Sequence, residues 1–184
     1  LKGLAYLLEA VAKLRTERDI HLTIIGKPRA GASADLITSL GLSDCITYVS
    51  GVSDERIVEL YAESTLAVVP SLYEGFSLPS IEAMSTGICL VATTGGALPE
   101  VTGHDGDTVL SCPPGDADAL AAALRRGLDD EQLRTKIGAA GRTRVVERWS
   151  WRHCASLTVD QYREVVMMPH NVEKVRRRVE QIAR

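Results

Sequence analysis

The feature that most restricts the fold of this chain is a repeated alternation between helical patterns and short apolar runs. From Leu4 to Leu14, apolar residues recur at three-and-four spacing, which predicts a helix with one apolar face. The run "HLTIIG" follows and indicates a buried strand. The alternation continues along the chain, and strands are predicted at residues 21–26, 45–50, 65–71, 88–94 and 107–112.

These strands lack polar alternation, which favours a parallel sheet, because each parallel connection needs a crossover helix and each strand is then covered on both faces. The sequence therefore predicts an α/β fold, a Rossmann-like doubly wound parallel sheet with helices on both faces and a helical C-terminal tail. Asp116 and Ser150 are predicted N-caps in that tail. In such sheets, ligands bind beyond the carboxyl ends of the strands.

Composition argues against several kinds of partner and site. The 184 residues carry a net charge of -3, which argues against a broad basic surface for nucleic acid. The sequence has no apolar run of the roughly 18 residues that a membrane span needs and no signal-peptide pattern, so we expect a cytoplasmic chain. The four cysteines form no C-x-x-C pair, and neither they nor the histidines have metal-ligand spacing, so we expect reduced thiols and no metal site.

The C-terminal end is predicted to be a distinct element. We divide the chain into a domain over residues 1–168 and an additional basic amphipathic helix over residues 169–184, separated at Pro169. We favour packing as the role of its apolar stripe. A surface for a partner, or a helix lying on an anionic membrane at the inner face, are the alternatives. The stripe consists of Val172, Val175, Val179 and Ile182.

The stretch "PSLYEGFSLPSIEAMSTG", residues 70–87, has the features of an anion-binding turn. Pro79 suits the first turn of a helix that begins at or just after Leu78, and Gly75 lets the backbone approach a ligand. Amides at a helix start lack intrahelical partners, and the helix dipole adds positive partial charge there. A phosphate or diphosphate group is therefore favoured at this turn.

Two glutamates lie on either side of the turn. Glu82 is predicted to lie about one turn into the helix, where its carboxylate can accept both hydroxyls of a ribose. Glu74 can do the same for sugar hydroxyls, so the pair would hold both ends of a sugar nucleotide. The alternative is that Glu82 merely complements the helix dipole and Glu74 is a solvated loop charge.

The segment "PSLYEGFSLPSIEAM" closely resembles the donor-site signature of retaining GT-B glycosyltransferases (glycosyl transferases group 1), in which seven residues separate two glutamates. The segments "KGLAYLLEAVAKL", "LTIIGK", "GGALPEV" and "RWSW" follow in the family's order, so the similarity covers about residues 2–165. The resemblance implies the C-terminal, donor-binding domain of that architecture. It also implies a nucleotide-diphosphate sugar as donor and transfer with retention at the anomeric carbon, usually without a divalent metal or other cofactor.

The resemblance also implies residue roles. Glu74 would contact the transferred sugar, Glu82 the ribose, and Lys2 would neutralise the donor diphosphate. Lys27 and Arg29 lie on the same predicted edge and would either balance phosphate charge or belong to a solvated loop. Further contacts are implied for the backbone of Gly75, Phe76, Ser77 and Leu78, which would meet sugar and phosphates, and for Gly51 and Val52, which would meet the base.

The family has parts that these residues do not include, namely an acceptor domain and a central strand with a basic residue before Lys2. We therefore expect this chain alone to have no transferase activity. Two alternatives stay open: a nucleotide-sugar binding or regulatory module without transfer, and a different enzyme such as a sugar-nucleotide epimerase or a phosphorylase. The donor's base and sugar, and the acceptor, are not predicted.

Overall fold

The computed structural model describes residues 1 to 28 and 30 to 182. Each predicted strand interval contains an observed strand, and the chain after the last strand is helical. The strands are β1 (Leu22–Ile25), β2 (Ile46–Val49), β3 (Ala67–Val69), β4 (Leu90–Thr93) and β5 (Leu110–Cys112). The helices are α1 (Leu4–Arg15), α2 (Ala32–Ser39), α3 (Asp54–Glu63), α4 (Leu78–Thr86), α5 (Leu98–Thr102), α6 (Ala117–Asp129), α7 (Glu131–Arg148), α8 (Trp151–Met167) and α9 (Pro169–Ile182).

All strand pairs are parallel, as predicted, but the hydrogen-bonded sheet is divided. β1 pairs with β2 in one part, and β3, β4 and β5 pair in that order in the other. No strand among the described residues joins β1 to β3. The division falls in the middle of the strand set, where the family resemblance expects a central strand.

Hydrogen bonds just after β3 identify its open edge. The carbonyl of Ser71 accepts a hydrogen bond from Thr93 of β4, whereas the amide of Leu72 donates to the carbonyl of Leu1 at 2.8 Å. The Ser71 carbonyl and the Leu72 amide belong to one trans peptide group, so they point in opposite directions. Leu1 therefore lies along the edge of β3 that faces away from β4.

The core lies where α1 and α6 pack on each other and α6 packs on β4 and β5. Leu8 and Leu14 of α1, Val91 of β4 and Leu120 of α6 are almost completely buried, which confirms the predicted apolar face of the first helix. The expectation that every strand is covered on both faces holds for β4 but is wrong for β1. Ile25 of β1 is 43% exposed, and the other residues of β1 are only half-buried.

The chain divides into two compact units, Leu1–Val145 and Val146–Arg184. Within the second unit, Ser150 caps α8 by accepting a hydrogen bond from the amide of His153, and α9 begins at Pro169, both as predicted. Every described side chain of α9 is at least partly exposed, so the favoured packing interpretation finds no support there. In the part of the chain that the structure describes, no helix is long and apolar enough to cross a membrane.

Candidate functional site

The candidate site begins at the carboxyl end of β3, where a loop leads into α4. This helix starts at Leu78 with Pro79 in its first turn, as the sequence predicts. Its N-cap residue, Ser77, has a φ of 87° and is the one non-glycine residue with positive φ in the described chain. Such a conformation costs of order 1 kcal/mol or more and is concentrated at functional sites.

The start of α4 is open to a ligand. No side chain caps it, whereas the start of α3 is capped by Ser53 and that of α6 by Asp116. The hydroxyl of Ser77 is instead hydrogen-bonded to that of Ser80 at 2.8 Å. The first-turn amides thus lack an intrahelical acceptor, which is the arrangement that favours anions.

Glu74 is held at this edge by two side chains. Its Oε1 accepts a hydrogen bond from Lys2 Nζ at 2.6 Å and another from Ser71 Oγ at 2.7 Å. Burial alone would raise the pKa of Glu74, but the bonds from Lys2 and Ser71 and the charge of Lys2 hold this pKa below its ordinary value. The carboxylate is therefore ionised at neutral pH.

The backbone of Glu74 packs against Gly95 and Gly96, which follow β4. Its carbonyl accepts a hydrogen bond from the amide of Ala97 at 2.8 Å, and its amide donates to Gly95 at 3.4 Å. A Cβ on Gly95 would lie 2.4 Å from the Leu72 carbonyl oxygen, and one on Gly96 would lie 2.4 Å from the Glu74 carbonyl oxygen. Only glycine allows the two backbones to come this close. The loop after β4 therefore holds the loop after β3 in place.

Lys2 reaches this loop because its two neighbours lie against it. Leu1 accepts the hydrogen bond from Leu72, and Gly3 has a φ of 68° with its Cα close to the Pro70 carbonyl. The side chain of Lys2 is 73% exposed, whereas that of Glu74 is 13% exposed. The ammonium group can therefore leave Glu74 for another anion without disturbing buried structure.

Glu82 lies on the exposed side of α4, next to α3. Burial, together with the negative charge of Glu82, raises the pKa of Tyr61 on α3. In the described residues, no hydrogen bond joins the Glu82 carboxylate to a protein group. This carboxylate is therefore accessible to a ligand but is not held in place before the ligand binds.

The other predicted contacts lie around these two glutamates. Gly75 is exposed with open space at its Cα, and Phe76 and Leu78 are 41% and 58% exposed. Gly51 and Val52 lie exposed between β2 and α3, with a φ of 70° at Gly51. These two residues thus belong to the loop before α3, whereas Gly75 and Phe76 belong to the loop before α4.

Of the two basic residues predicted after β1, Lys27 is exposed in a loop, and Arg29 lies outside the described residues. Cys89 and Cys112 are buried and poorly suited to act as nucleophiles. Burial raises the pKa of Cys89 and that of Cys112 to about 11, which keeps both thiols protonated. Within residues 1–28 and 30–182, no group of three or more His, Cys, Asp or Glu side chains could hold a metal ion.

Sequence reasoning found both glutamates but missed three supports of Glu74. Two of these supports are distant from Glu74 in the sequence, and the third is a serine with no distinctive pattern around it. The one signal in the sequence was the Gly-Gly pair after a predicted strand, which indicates a close approach of two backbones. The missed residues are Ser71, Gly95 and Gly96.

The chain is similar to known proteins in both sequence and structure. The family model for "Glycosyl transferases group 1" matches residues 1–144. The chain is 46% identical to the MMP alpha-(1->4)-mannosyltransferase of Mycolicibacterium hassiacum over 167 residues, covering 90% of this chain and 41% of that protein. The chain spans less than half the length of the curated relatives it matches.

Two solved structures are similar to most of the chain. One is the C-terminal domain of a glycosyl transferase group 1 family protein from Francisella tularensis, with a TM-score of 0.71, 27% identity, and coverage of 82% of this chain and 80% of that one. The other is an Anabaena protein in complex with UDP-glucose, with a TM-score of 0.74, 23% identity, and coverage of 86% and 45%. At that identity, the second likeness supports the fold alone.

Proposed function

The chain belongs to the glycosyl transferases group 1 family as a GT-B C-terminal domain, and on that premise we propose that it binds the nucleotide-sugar donor of a retaining glycosyltransferase. The observation that carries the proposal is the ionised, mostly buried Glu74 beside the uncapped start of α4. A buried acceptor-only carboxylate suits sugar hydroxyls, and an open helix start suits phosphates. A nucleotide-diphosphate sugar offers both groups in one molecule.

The proposed orientation follows from the positions of these groups. The diphosphate lies at the start of α4, against the backbone of residues 75–78. Glu74 accepts hydroxyl hydrogens of the transferred sugar, and Glu82, further along α4, accepts those of the ribose. The base extends toward Gly51 and Val52, which precede α3. Each hydrogen bond to an ionised carboxylate contributes roughly 1.5 to 3 kcal/mol.

The proposed chemistry is electrostatic. As the bond from the anomeric carbon to the diphosphate oxygen breaks, negative charge grows on the leaving nucleoside diphosphate and positive charge on the sugar. Lys2 and the amides at the start of α4 stabilise the former. Glu74 orients the sugar and is not proposed as a nucleophile. We expect no divalent metal to be required, so a chelator should leave turnover unchanged.

The acceptor is proposed to bind to a part of the protein outside these 184 residues. This proposal fits the chain's coverage of less than half of its relatives. The M. hassiacum relative is named a mannosyltransferase, so a mannosyl donor is among the first to test. The chain by itself is expected to bind donor without transferring sugar.

The deciding experiment measures release of nucleoside diphosphate from UDP-glucose, GDP-mannose and ADP-glucose by the intact protein, with and without candidate acceptors. We expect release that depends on an acceptor. Conversion of one nucleotide sugar into another without release of nucleoside diphosphate would indicate an epimerase, and donor affinity without any turnover would indicate a binding module. Either result would contradict the transferase proposal.

A further inference from the structure

Ser71 is a buried side chain that contacts Glu74 in the candidate site. It lies two residues after β3, is 2% exposed, and donates a hydrogen bond from Oγ to Glu74 Oε1 at 2.7 Å. Its carbonyl accepts the hydrogen bond from Thr93 of β4. The Ser71 backbone is thus hydrogen-bonded to β4, which holds the Ser71 hydroxyl close to the sheet.

The two groups that hold Glu74 differ in how firmly they are placed. Lys2 is a long side chain that is 73% exposed, and an ammonium group can exchange partners at little cost. Ser71 is short and buried, and its hydroxyl has Glu74 within hydrogen-bond distance. Both bond the same oxygen, Oε1, and the described residues show no hydrogen bond to Oε2.

We propose that Ser71 is a positioning residue that fixes Oε1 of Glu74 and thereby presents Oε2 to the transferred sugar. This inference rests on the proposed function, in which Glu74 binds that sugar. Ser71 keeps the carboxylate in place both when Lys2 pairs with Glu74 and when Lys2 turns to the donor diphosphate. The site can therefore use Lys2 for the leaving group without releasing the group that orients the sugar.

Ser71 acts only at the sugar end, so its removal has a selective signature. A free nucleoside diphosphate does not reach Glu74, whereas the nucleotide sugar does. The ratio of the two affinities therefore reports on Ser71, while a general structural defect would weaken both ligands together. Preorganised side chains contribute to affinity by reducing the ordering cost of binding.

The test is calorimetry of the full chain with UDP and UDP-glucose, and with GDP and GDP-mannose, taking the pair that the unchanged chain binds. For Ser71→Ala we expect about tenfold weaker binding of the nucleotide sugar and less than about twofold change for the nucleoside diphosphate. Ser71→Cys is close in size and its thiol is a weak donor, so it should fold and show the same selective loss. Ser71→Thr keeps the hydroxyl and should recover most of the sugar affinity.

Ser39→Ala is the matched control, because the Ser39 hydroxyl bonds the carbonyl of Leu36 at the end of α2. It should change neither affinity. Equal losses for both ligands, or an unchanged ratio in both Ser71→Ala and Ser71→Cys, would overturn the inference about Ser71 alone. If the unchanged chain binds neither kind of ligand, the proposed function fails and this inference fails with it.

Discussion

Glu74 and Glu82 belong to the same loop and helix, yet the protein supports them very differently. The side chain of Glu74 is 13% exposed and accepts two hydrogen bonds, and its backbone is bonded to the loop after β4. Glu82 is exposed on α4 and has no such partners among the described residues. One end of the proposed donor site is therefore formed before binding, and the other is completed by the ligand.

This difference has a physical consequence for specificity. A fixed carboxylate can discriminate between sugars by the positions of their hydroxyls, because it does not follow a misplaced group. An exposed side chain must lose rotamer freedom when it binds, which costs up to about 2 kcal/mol for glutamate. We infer that Glu74 selects the sugar by the positions of its hydroxyls, and that Glu82 adds affinity for the ribose that UDP-, GDP- and ADP-sugars share.

The largest expected effect comes from the glycine that supports Glu74. Gly96→Ala places a Cβ 2.4 Å from the Glu74 carbonyl at a φ of 66°, so we expect a loss of about 3 kcal/mol or more in unfolding free energy. Gly51→Ala is the matched control, because its φ is 70° but its Cα faces open space. That control should cost only about 1 to 2 kcal/mol, the penalty of the left-handed conformation.

Denaturant unfolding of the two variants compares them directly. The additional loss of unfolding free energy in Gly96→Ala, relative to Gly51→Ala, measures the contact between the loops after β3 and β4. Equal losses of unfolding free energy would mean that the loop after β4 can shift at little cost. Glu74 would then not be held more firmly than Glu82.

A smaller effect is expected from Lys2. Because the folded pKa of Glu74 lies below its ordinary value, the bonds to this carboxylate stabilise the fold above about pH 4.3. That stabilisation is lost as pH falls through the folded pKa. Lys2→Met removes one cause of the lowered pKa, so the folded pKa should rise toward the ordinary value. The stability change should stay below about 1 kcal/mol, since Lys2 is largely exposed.

The measurement is an NMR titration of the Glu74 carboxyl carbon in the two proteins. Lys13→Met is the control, because Lys13 pairs with Asp118 and not with Glu74. If the titration midpoint of Glu74 is the same with and without Lys2→Met, the ion pair between Lys2 and Glu74 does not persist in solution. Ser71 would then be the sole side-chain support.

The sequence predicted those parts of the site that depend on neighbouring residues. The helix start at Leu78, with Pro79 in the first turn, follows from local backbone chemistry. The strand intervals and the parallel pairing follow from apolar runs and crossover helices. The segment that contains Glu74 and Glu82, together with the other family-like segments, was sufficient for the family resemblance, but the spacing made the two glutamates look equivalent.

The remaining features depend on contacts between distant segments. The bond from Ser71 to Glu74 requires the actual course of the loop, and the contact of Gly96 with Glu74 requires β3 and β4 to be neighbours. The division of the sheet likewise depends on which strand edges meet. Periodicity detects elements and their buried faces, but it contains no information about which edges are adjacent.

The most direct test compares Glu74→Ala and Glu82→Ala in calorimetry with a nucleoside diphosphate and the corresponding nucleotide sugar. Glu131→Ala is the control, since Glu131 is an exposed glutamate in the first turn of α7 and matches the simple dipole role considered for Glu82. We predict that Glu82→Ala weakens both ligands about tenfold and Glu74→Ala weakens the nucleotide sugar alone, with no effect of Glu131→Ala. Unchanged affinity of Glu82→Ala for both ligands would contradict the proposed site.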